Sequence, residues 1–309
     1  CSIKWPSKRD YADAAPGEWA KEKVSIEEIT IEEVKKIILD VARRDERIRA
    51  VLLNGSKANP NIPHDRFQDF DIVFIVRQLD TFTRDHSWIN VFGELVIKQL
   101  PDQMSIGSPD TDSFAYLMLF EDGNRIDLTL YPLEKLEHRS CWPDSLTICL
   151  LDKDNLFDLL PAPNESDYFI KKPSPEEFKD TCNEFWWVCT YVVKGIQRDE
   201  VTYAKEVLET VVRPMFMKIV EWKIGTENNF GVSFGKGGRF MKKYLSPDYY
   251  TKVLQSYSDS DLERTWRALL EMMELFEQTS KEVASRLNFI LDKSEPLKTI
   301  KYIQSQYLN

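Results

Sequence analysis

Residues 69–76 read Asp-Phe-Asp-Ile-Val-Phe-Ile-Val, so two acids open an apolar run of the length typical of one buried strand. Side chains alternate between the faces of an extended strand, which places Asp69 and Asp71 on one side and Phe70 on the other, toward the core. Two carboxylates on one side of a strand can share a hard cation such as Mg²⁺. The stretch therefore predicts a buried strand with an acidic site at its start.

A glycine-serine turn lies upstream of this strand. Residues 48–53 form a short apolar run rich in β-formers, and Asn54, Gly55 and Ser56 follow it as loop residues. Gly55 lets the backbone approach a phosphate closely, the Ser56 hydroxyl can donate to phosphate oxygens, and Lys57 adds positive charge. The turn is therefore a candidate site for the triphosphate of a nucleotide. Neither a P-loop motif nor a dinucleotide-binding glycine motif occurs, so neither of those classes is supported.

A third acid, Asp127, stands in the apolar run of residues 126–131. Burying an unpaired carboxylate there is costly unless a metal ion or a hydrogen-bond donor compensates for it. On its own, an Asp-x-Asp pair is common on solvated strand edges. Together with the glycine-serine turn and Asp127, the pair at Asp69 and Asp71 predicts a site for two Mg²⁺ ions, with Asp127 as a general base or only a metal ligand.

The charge balance favours a cationic partner. The chain has 41 Lys and Arg against 51 Asp and Glu, a formal net charge of −10, and no basic run long enough to indicate nucleic-acid binding. Its five cysteines are an odd number and include no C-x-x-C pair, which is typical of reduced thiols in a cytosolic protein. No apolar run of 18 residues occurs, so we expect a cytoplasmic location without a membrane partner.

The chain changes character near residue 165. In the first half, a helical pattern precedes short apolar runs, whereas helical patterns alone follow a proline-rich stretch in the second half. This predicts an α+β fold class, with an irregular leader at residues 1–24, an α/β domain at 25–165 and a helical domain at 166–309. The predicted helices are residues 30–44, 176–198, 203–224 and 262–291, and the predicted strands are residues 48–53, 71–76, 115–120 and 126–131.

Four motifs resemble those of one enzyme family. Residues 53–60 read Leu-Asn-Gly-Ser-Lys-Ala-Asn-Pro, and residues 67–73 read Phe-Gln-Asp-Phe-Asp-Ile-Val. Residues 182–188 read Cys-Asn-Glu-Phe-Trp-Trp-Val, and residues 235–239 read Gly-Lys-Gly-Gly-Arg. In these motifs the chain resembles the aminoglycoside 6-adenylyltransferase (streptomycin adenylyltransferase) family, from about residue 29 to the C-terminus. Position 57 is Lys where Arg is the more usual residue.

The resemblance implies an N-terminal nucleotidyltransferase domain, with a mixed β-sheet flanked by helices, and a C-terminal helical bundle that binds substrate. It also implies Mg²⁺-dependent transfer of AMP from ATP to a hydroxyl of a streptomycin-like aminoglycoside, which releases pyrophosphate and inactivates the antibiotic. Two alternatives stay open: transfer to another small hydroxylated metabolite or a protein side chain, and a catalytically silent nucleotide-binding regulator. The expected partners are ATP and a cationic aminoglycoside, and the expected state is a monomer or weak homodimer.

Four residues of the second half are candidates for contact with the acceptor. Glu184, Trp187 and Tyr191 recur on one face of a predicted helix, where a carboxylate and aromatic rings can hold a cationic sugar. The alternative is that Trp187 and its neighbour Trp186 are ordinary helix-packing residues. Glu209, on the next predicted helix, is a second acidic candidate, with a merely solvated carboxylate as its alternative.

Two further roles stay open at this level. Lys236 lies in a glycine-rich segment, where its ammonium group can meet the triphosphate tail, although turn formation alone also explains the glycines. Asp127 is the leading candidate for the general base, and Glu184 is the alternative.

Overall fold

A computed structural model describes residues 30–63, 65–107, 110, 112–138, 144–157, 160–292 and 294–307. The leader predicted at residues 1–24 lies outside these ranges. The chain divides into two compact units, Cys1–Asn164 and Glu165–Asn309. No helix in the described ranges is both long and apolar enough to cross a membrane.

The first unit contains a mixed sheet. In chain order its strands are β1 (Ile48–Asn54), β2 (Phe70–Val76), β3 (Leu95–Gln99), β4 (Phe114–Phe120), β5 (Arg125–Pro132) and β6 (Thr147–Asp152). Their order across the sheet is β3-β4-β5-β2-β1-β6. Strands β2 and β5 are parallel, and the other neighbouring pairs are antiparallel.

The four predicted strands are confirmed as β1, β2, β4 and β5, which form the centre of the sheet. Strands β1 and β2 are buried almost throughout because one hydrophobic cluster covers each face of the sheet at these strands. The edge strands β3 and β6 are not predicted. Val96 and Ile97 of β3 are 60% and 64% exposed, and β6 is only half-buried, so neither strand shows the pattern of a core strand.

The described residues of the first unit form two α-helices, α1 (Ile31–Arg44) and the single turn α2 (Asp80–Thr83). Helix α1 begins with a capping box, in which the Thr30 hydroxyl accepts from the Glu33 N–H and the Glu33 carboxylate accepts from the Thr30 N–H. Its inner face packs on the same hydrophobic cluster as β1 and β2. This face consists of Val34, Ile38 and Ala42.

The described residues of the second unit are mostly helical. The helices are α3 (Pro175–Gln197), α4 (Val201–Val207), α5 (Arg213–Glu227), α6 (Met241–Tyr244), α7 (Pro247–Gln255), α8 (Leu262–Leu287) and α9 (Ser294–Tyr307). Their core includes stacked rings of Phe185 and Phe276, with centroids 3.7 Å apart, and the ring of Trp186 lies edge-on to Phe276. A mixed sheet followed by a helical unit confirms the α+β fold class.

Two helix boundaries differ from the prediction. The helix predicted at residues 203–224 is instead α4, a π-helical turn at Leu208–Val212 and α5 in succession. The helix predicted at residues 262–291 ends at Leu287, because Asn288 adopts the left-handed conformation, with φ 57°, in which many helices terminate.

Candidate active site

The pairing of β2 with β5 brings the predicted acids together. Asp71 and Asp127 are direct partners in the parallel register of these strands, and neighbouring strands lie about 4.8 Å apart. Their side chains therefore project from the same face. Asp69 comes two residues before Asp71 and projects to that side as well. The three carboxylates form the acidic cluster, defined as Asp69, Asp71 and Asp127.

Gly55 makes room for this cluster. It follows β1 with φ +68°, a conformation that favours glycine. A Cβ atom at this position would overlap Oδ2 of Asp71 and lie 3.1 Å from its Cγ. The Gly55 N–H donates to the carbonyl of Leu146 at 3.2 Å, which fixes the turn to the segment before β6. A glycine is therefore required where the turn meets the Asp71 carboxylate.

Burial and neighbouring negative charge raise the pKa values of two carboxylates of the acidic cluster, Asp71 and Asp69. Burial raises the pKa of Asp71 to about 6, and the negative charges of Asp127 and Asp69 act in the same direction. Burial also raises the pKa of Asp69, an effect that Arg125 opposes and Asp127 reinforces. Negative charge that the protein compensates only in part is what a divalent cation would neutralise. Carboxylate oxygens with excess negative charge are suitable ligands for Mg²⁺.

Arg125, which the sequence reasoning missed, is the cation that the protein itself supplies. It opens β5 two residues before Asp127 and therefore shares its face. Its Nε donates to Oδ1 of Asp127 at 2.8 Å, and its Nη2 donates to Oδ2 at 2.7 Å. Its Nε also lies 3.7 Å from Oδ2 of Asp69. The available signal was a basic residue at the i−2 position of an acid in a predicted strand.

Within the part of the chain that the structure describes, no three or more His, Cys, Asp and Glu side chains form a ready-made metal site. Both carboxylate oxygens of Asp127 accept hydrogen bonds from Arg125 instead. Asp69, Asp71 and Asp127 fit Mg²⁺ by residue type, charge and strand register. In this structure, however, the side chains of Asp127 and Asp69 are arranged around Arg125.

Lys57 lies beside the acidic cluster in an unusual setting for a lysine. The residue is only 8% exposed, and its Nζ lies 4.2 Å from the ring centroid of Phe70. Burial lowers the pKa of Lys57, while the nearby charges of Asp65 and Asp69 act in the opposite direction. The preceding residue, Ser56, forms part of the same short turn, Gly55–Ala58. The turn thus carries a desolvated ammonium group next to the carboxylates.

The segment before β6 supports this turn, and the sequence reasoning missed it too. The Thr147 hydroxyl donates to Oδ1 of Asn54 at 3.0 Å, directly before Gly55. The Leu146 N–H donates to Oδ1 of Asp144 at 2.8 Å, and the Asp144 charge contributes to the raised pKa of Asp71. Asp144 is therefore a fourth acid near the site, and its position depends on the unpredicted strand β6.

In the second unit, α3 presents Glu184 and Trp187 to solvent. Trp187 is 60% exposed, and its Nε1 donates to the Tyr191 hydroxyl at 2.9 Å. Trp186 is 3% exposed and belongs to the helical core. The packing alternative is therefore right for Trp186 and wrong for Trp187.

A cavity of about 470 Å³ lies beside Trp187 in the second unit. Asn183 and Trp187 of α3 line it, together with Glu295 and Tyr302 of α9. The Asn183 side-chain amide donates to both carboxylate oxygens of Glu295, at 3.4 and 3.3 Å. Sequence reasoning missed Glu295 because α9 was not predicted. Glu184 and Tyr191 do not line this cavity.

The remaining predicted residues have different surroundings. The Glu209 carboxylate accepts from Nε and Nη2 of Arg213, the second at 3.0 Å, and Arg213 is buried. These bonds are those of a structural ion pair. Lys236 is exposed in the turn Lys236–Gly238, where Gly237 and Gly238 have positive φ values. The structure thus gives Glu209 a role in packing and leaves the Lys236 ammonium group exposed at a turn.

Known proteins of one family are similar to this chain. The chain matches the family model for streptomycin adenylyltransferase over residues 29–306. It is 42% identical over 257 residues to aminoglycoside 6-adenylyltransferase of Campylobacter jejuni, an alignment that covers 83% of this chain and 89% of that protein. It is 40% identical over 259 residues to aminoglycoside 6-adenylyltransferase of Bacillus subtilis (strain 168), with coverages of 84% and 91%. A crystal structure of an aminoglycoside 6-adenyltransferase from Bacillus subtilis is similar at 34% identity, with a TM-score of 0.46, and the match covers 91% of this chain and 100% of that chain.

Proposed function

Because the chain belongs to the streptomycin adenylyltransferase family of nucleotidyltransferase enzymes, we propose that it transfers AMP from ATP to a hydroxyl group of an aminoglycoside. Pyrophosphate is the second product, and a streptomycin-like molecule is the proposed acceptor. The observation that carries the proposal is the register of β2 and β5, which sets Asp71 beside Asp127 next to the Gly55 turn. Acids brought together in this way can supply carboxylate ligands to the divalent ions that assist transfer of a nucleotide's phosphoryl group.

Asp69, Asp71 and Asp127 are the residues that would hold Mg²⁺, as two ions. When bound, the metal would neutralise negative charge on the nucleotide phosphates and on the departing pyrophosphate. The residues themselves supply the rest of the binding surface. Gly55 and Ser56 place backbone and hydroxyl donors at the turn, and Lys57 supplies positive charge for the triphosphate. Lys236 is proposed as a further contact to the phosphates.

The acceptor hydroxyl must lose a proton when it attacks the α-phosphorus, and a carboxylate is the natural acceptor for it. We assign this role to Asp127, since it lies beside Asp71 in the sheet. Glu184 is the alternative, and its exposed position on α3 leaves its carboxylate open to a ligand. Loss of the acidic limb of the pH–rate profile in Asp127→Asn, but not in Glu184→Gln, would support the assignment.

Glu184 and Trp187 are proposed to contact the acceptor, because both side chains are exposed on one face of α3. A carboxylate can pair with the ammonium or guanidinium groups of an aminoglycoside, and an indole ring can cover a sugar face or a cation. Tyr191 is proposed to hold Trp187 in place through their hydrogen bond. Glu209 is the weakest of the four proposed acceptor contacts, because Arg213 engages its carboxylate.

The experiment that tests the proposal is mass spectrometry of streptomycin after incubation with the protein, ATP and Mg²⁺. We expect a product heavier by one adenylyl group, with pyrophosphate released in equal amount. Asp69→Asn is the matched control, because it removes one charge of the acidic cluster and keeps the side chain's size. Bound ATP without any transfer to an aminoglycoside would contradict the proposal and favour a regulator. Transfer to other hydroxylated acceptors alone would change the substrate class.

A further inference from the structure

Arg125 occupies the oxygens that a metal ion needs. Two of its N–H groups donate to the two carboxylate oxygens of Asp127, at 2.8 and 2.7 Å, in the fork-to-carboxylate arrangement of strong ion pairs. The same guanidinium lies 3.7 Å from Oδ2 of Asp69. Among the described basic side chains, Arg125 is the one within ion-pair distance of either carboxylate. Lys57 is directed instead at the ring of Phe70.

A guanidinium and a divalent cation compete for these oxygens. Each carries positive charge, so their close approach is unfavourable, and the Asp127 oxygens are already engaged in two hydrogen bonds. The Arg125 side chain is 43% exposed, whereas that of Asp127 is 19% exposed. Because its stem is flexible and partly solvated, the arginine can rotate outward while the strand that carries it stays in place.

We propose that Arg125 is an internal counter-cation of the acidic cluster, which holds Asp127 and Asp69 until a divalent cation displaces it and thereby sets the metal affinity of the site. The inference rests on the proposed function in one respect, namely that a divalent cation is the ligand of the cluster. It makes Arg125 a positioning residue, since it acts through the carboxylates. It also explains why the described acids do not stand as a ready-made metal site.

Two substitutions separate displacement from simple charge. Arg125→Gln removes both the charge and the bidentate grip, and we expect the dissociation constant for the metal to fall about ten-fold, the size of one lost charge-assisted contact. Arg125→Lys keeps the charge and loses the fork, so we expect a smaller fall, of about three-fold. If Arg125 acted only through its charge, the lysine variant would bind metal as the wild type does.

Arg77→Gln is the matched control for net charge. Arg77 follows β2 at the end away from Asp71 and pairs with Asp154 at 3.4 Å. Six residues of extended strand separate it from Asp71 by about 20 Å. Its loss changes the charge of the same unit by the same amount without touching the acidic cluster. We expect its metal affinity to match that of the wild type within a factor of two.

The measurement is titration of the full-length, nucleotide-free protein with Mn²⁺ alone, followed by electron paramagnetic resonance, and with Mg²⁺ by calorimetry. We expect Arg125→Gln to bind the metal most tightly and Arg125→Lys less tightly. The wild type and Arg77→Gln should bind it equally and most weakly. Equal or weaker binding by both Arg125 variants, equal tightening in Arg77→Gln, or no binding by the wild type would overturn the inference. Metal binding in this order by a protein that transfers no AMP would defeat the proposed function alone.

Discussion

Two charged clusters, one in each unit, differ in how completely their charges are matched. In the helical unit the buried guanidinium of Arg213 donates to Glu209, to the Ser256 hydroxyl at 3.0 Å and to the Ser256 carbonyl at 2.9 Å, and it lies 3.6 Å from the ring centroid of Tyr257. In the sheet, Arg125 pairs with Asp127 and Asp69, while burial and the charges of these two acids raise the pKa of Asp71 to about 6. The charges of the first cluster are matched without a ligand, so we call that cluster complete. Those of the second are matched only in part, so we call it incomplete. An incomplete cluster marks a binding site better than the number of acids does.

The substitution with the largest expected effect on this difference between the clusters is Asp71→Asn. If the incomplete cluster serves catalysis, the rate of AMP transfer falls about 10³-fold, because a metal-ligating charge is worth several kcal/mol in the transition state. The melting temperature of the metal-free protein should not fall, since the substitution removes repulsion from Asp69 and Asp127. Initial rates with labelled ATP and thermal melts measure both effects.

Asp112→Asn is the control for that experiment, because Asp112 pairs with Lys135 on the surface, at 2.8 Å. It should retain the wild-type rate. Near-normal transfer by Asp71→Asn would separate the acidic cluster from the chemistry.

The opposite test breaks the complete cluster. Glu209→Ala leaves the buried charge of Arg213 without its carboxylate, and we expect the free energy of unfolding to fall by about 3 kcal/mol. The KM for the acceptor should change by less than two-fold, because Arg213 engages the Glu209 carboxylate and makes it the weakest of the proposed acceptor contacts. Chemical denaturation and steady-state kinetics distinguish the two roles. Glu206→Ala is the control, because Glu206 is exposed in α4, directly before the π-helical turn that carries Glu209. A stable Glu209→Ala protein with a raised acceptor KM would return Glu209 to the substrate site.

A matched glycine pair sharpens the comparison at the turn. Gly55 and Gly123 both have positive φ, +68° and +81°, but a Cβ at Gly55 meets Asp71 whereas a Cβ at Gly123 meets nothing within 4 Å. Both alanine variants should lose about 1–2 kcal/mol of stability through backbone strain. Gly55→Ala alone should lose activity, by about 10²-fold, because it displaces the Asp71 carboxylate. Equal activities in the two variants would show that the close approach is unimportant.

The smallest expected effect concerns Glu221 in the helical unit. Burial raises its pKa above the ordinary value of 4.5, with Lys218 opposing and Glu177 reinforcing the shift. A raised pKa in the folded state means that stability is fully present below pH 4.5 and is lost as the pH rises through the folded value. Glu221→Gln should therefore raise the melting temperature at pH 7.5, on the order of 1–2 °C, and leave it unchanged at pH 4.

Thermal melts of both proteins across this pH range provide the check. A change in catalytic rate in the same variant would extend the argument about incomplete clusters to Glu221. A melting difference of the same size at pH 4 would show that packing, and not ionisation, is responsible.

The sequence alone predicted that Asp69, Asp71 and Asp127 belong to one acidic site, because two of these acids open one apolar run and the third lies in another. It did not predict that β2 pairs with β5, which is the contact that places Asp71 beside Asp127. It did not reveal Arg125, since an arginine that opens a strand after a turn has the same pattern whether it faces solvent or a carboxylate. Trp186 and Trp187 illustrate the same limit in a helix. Adjacent aromatic residues give one local signal, and only the packing of α3 against its neighbours buries the first and exposes the second.

Elements at the edges escaped prediction for a related reason. Strand β6 positions Thr147 and the preceding Asp144 near the turn at Gly55, yet its residues are only partly buried and lack the continuous apolar pattern of β1 or β2. Helix α9 contributes Glu295 to the cavity beside Trp187, and it buries only a few of its residues. Side chains that such elements bring to a site depend on long-range contacts, which local periodicity does not encode.

The parallel pairing of β2 with β5 also has a consequence for biosynthesis. Two antiparallel strands, β3 and β4, are inserted in the chain between them, so Asp71 meets Asp127 only after a long loop has closed. A nascent polypeptide halted before residue 125 has two of the three cation-binding carboxylates, Asp69 and Asp71, and lacks the guanidinium that restrains Asp69 and Asp127. Capacity to bind the ion should thus emerge from the ribosome in a single late step, together with the arginine that competes for it.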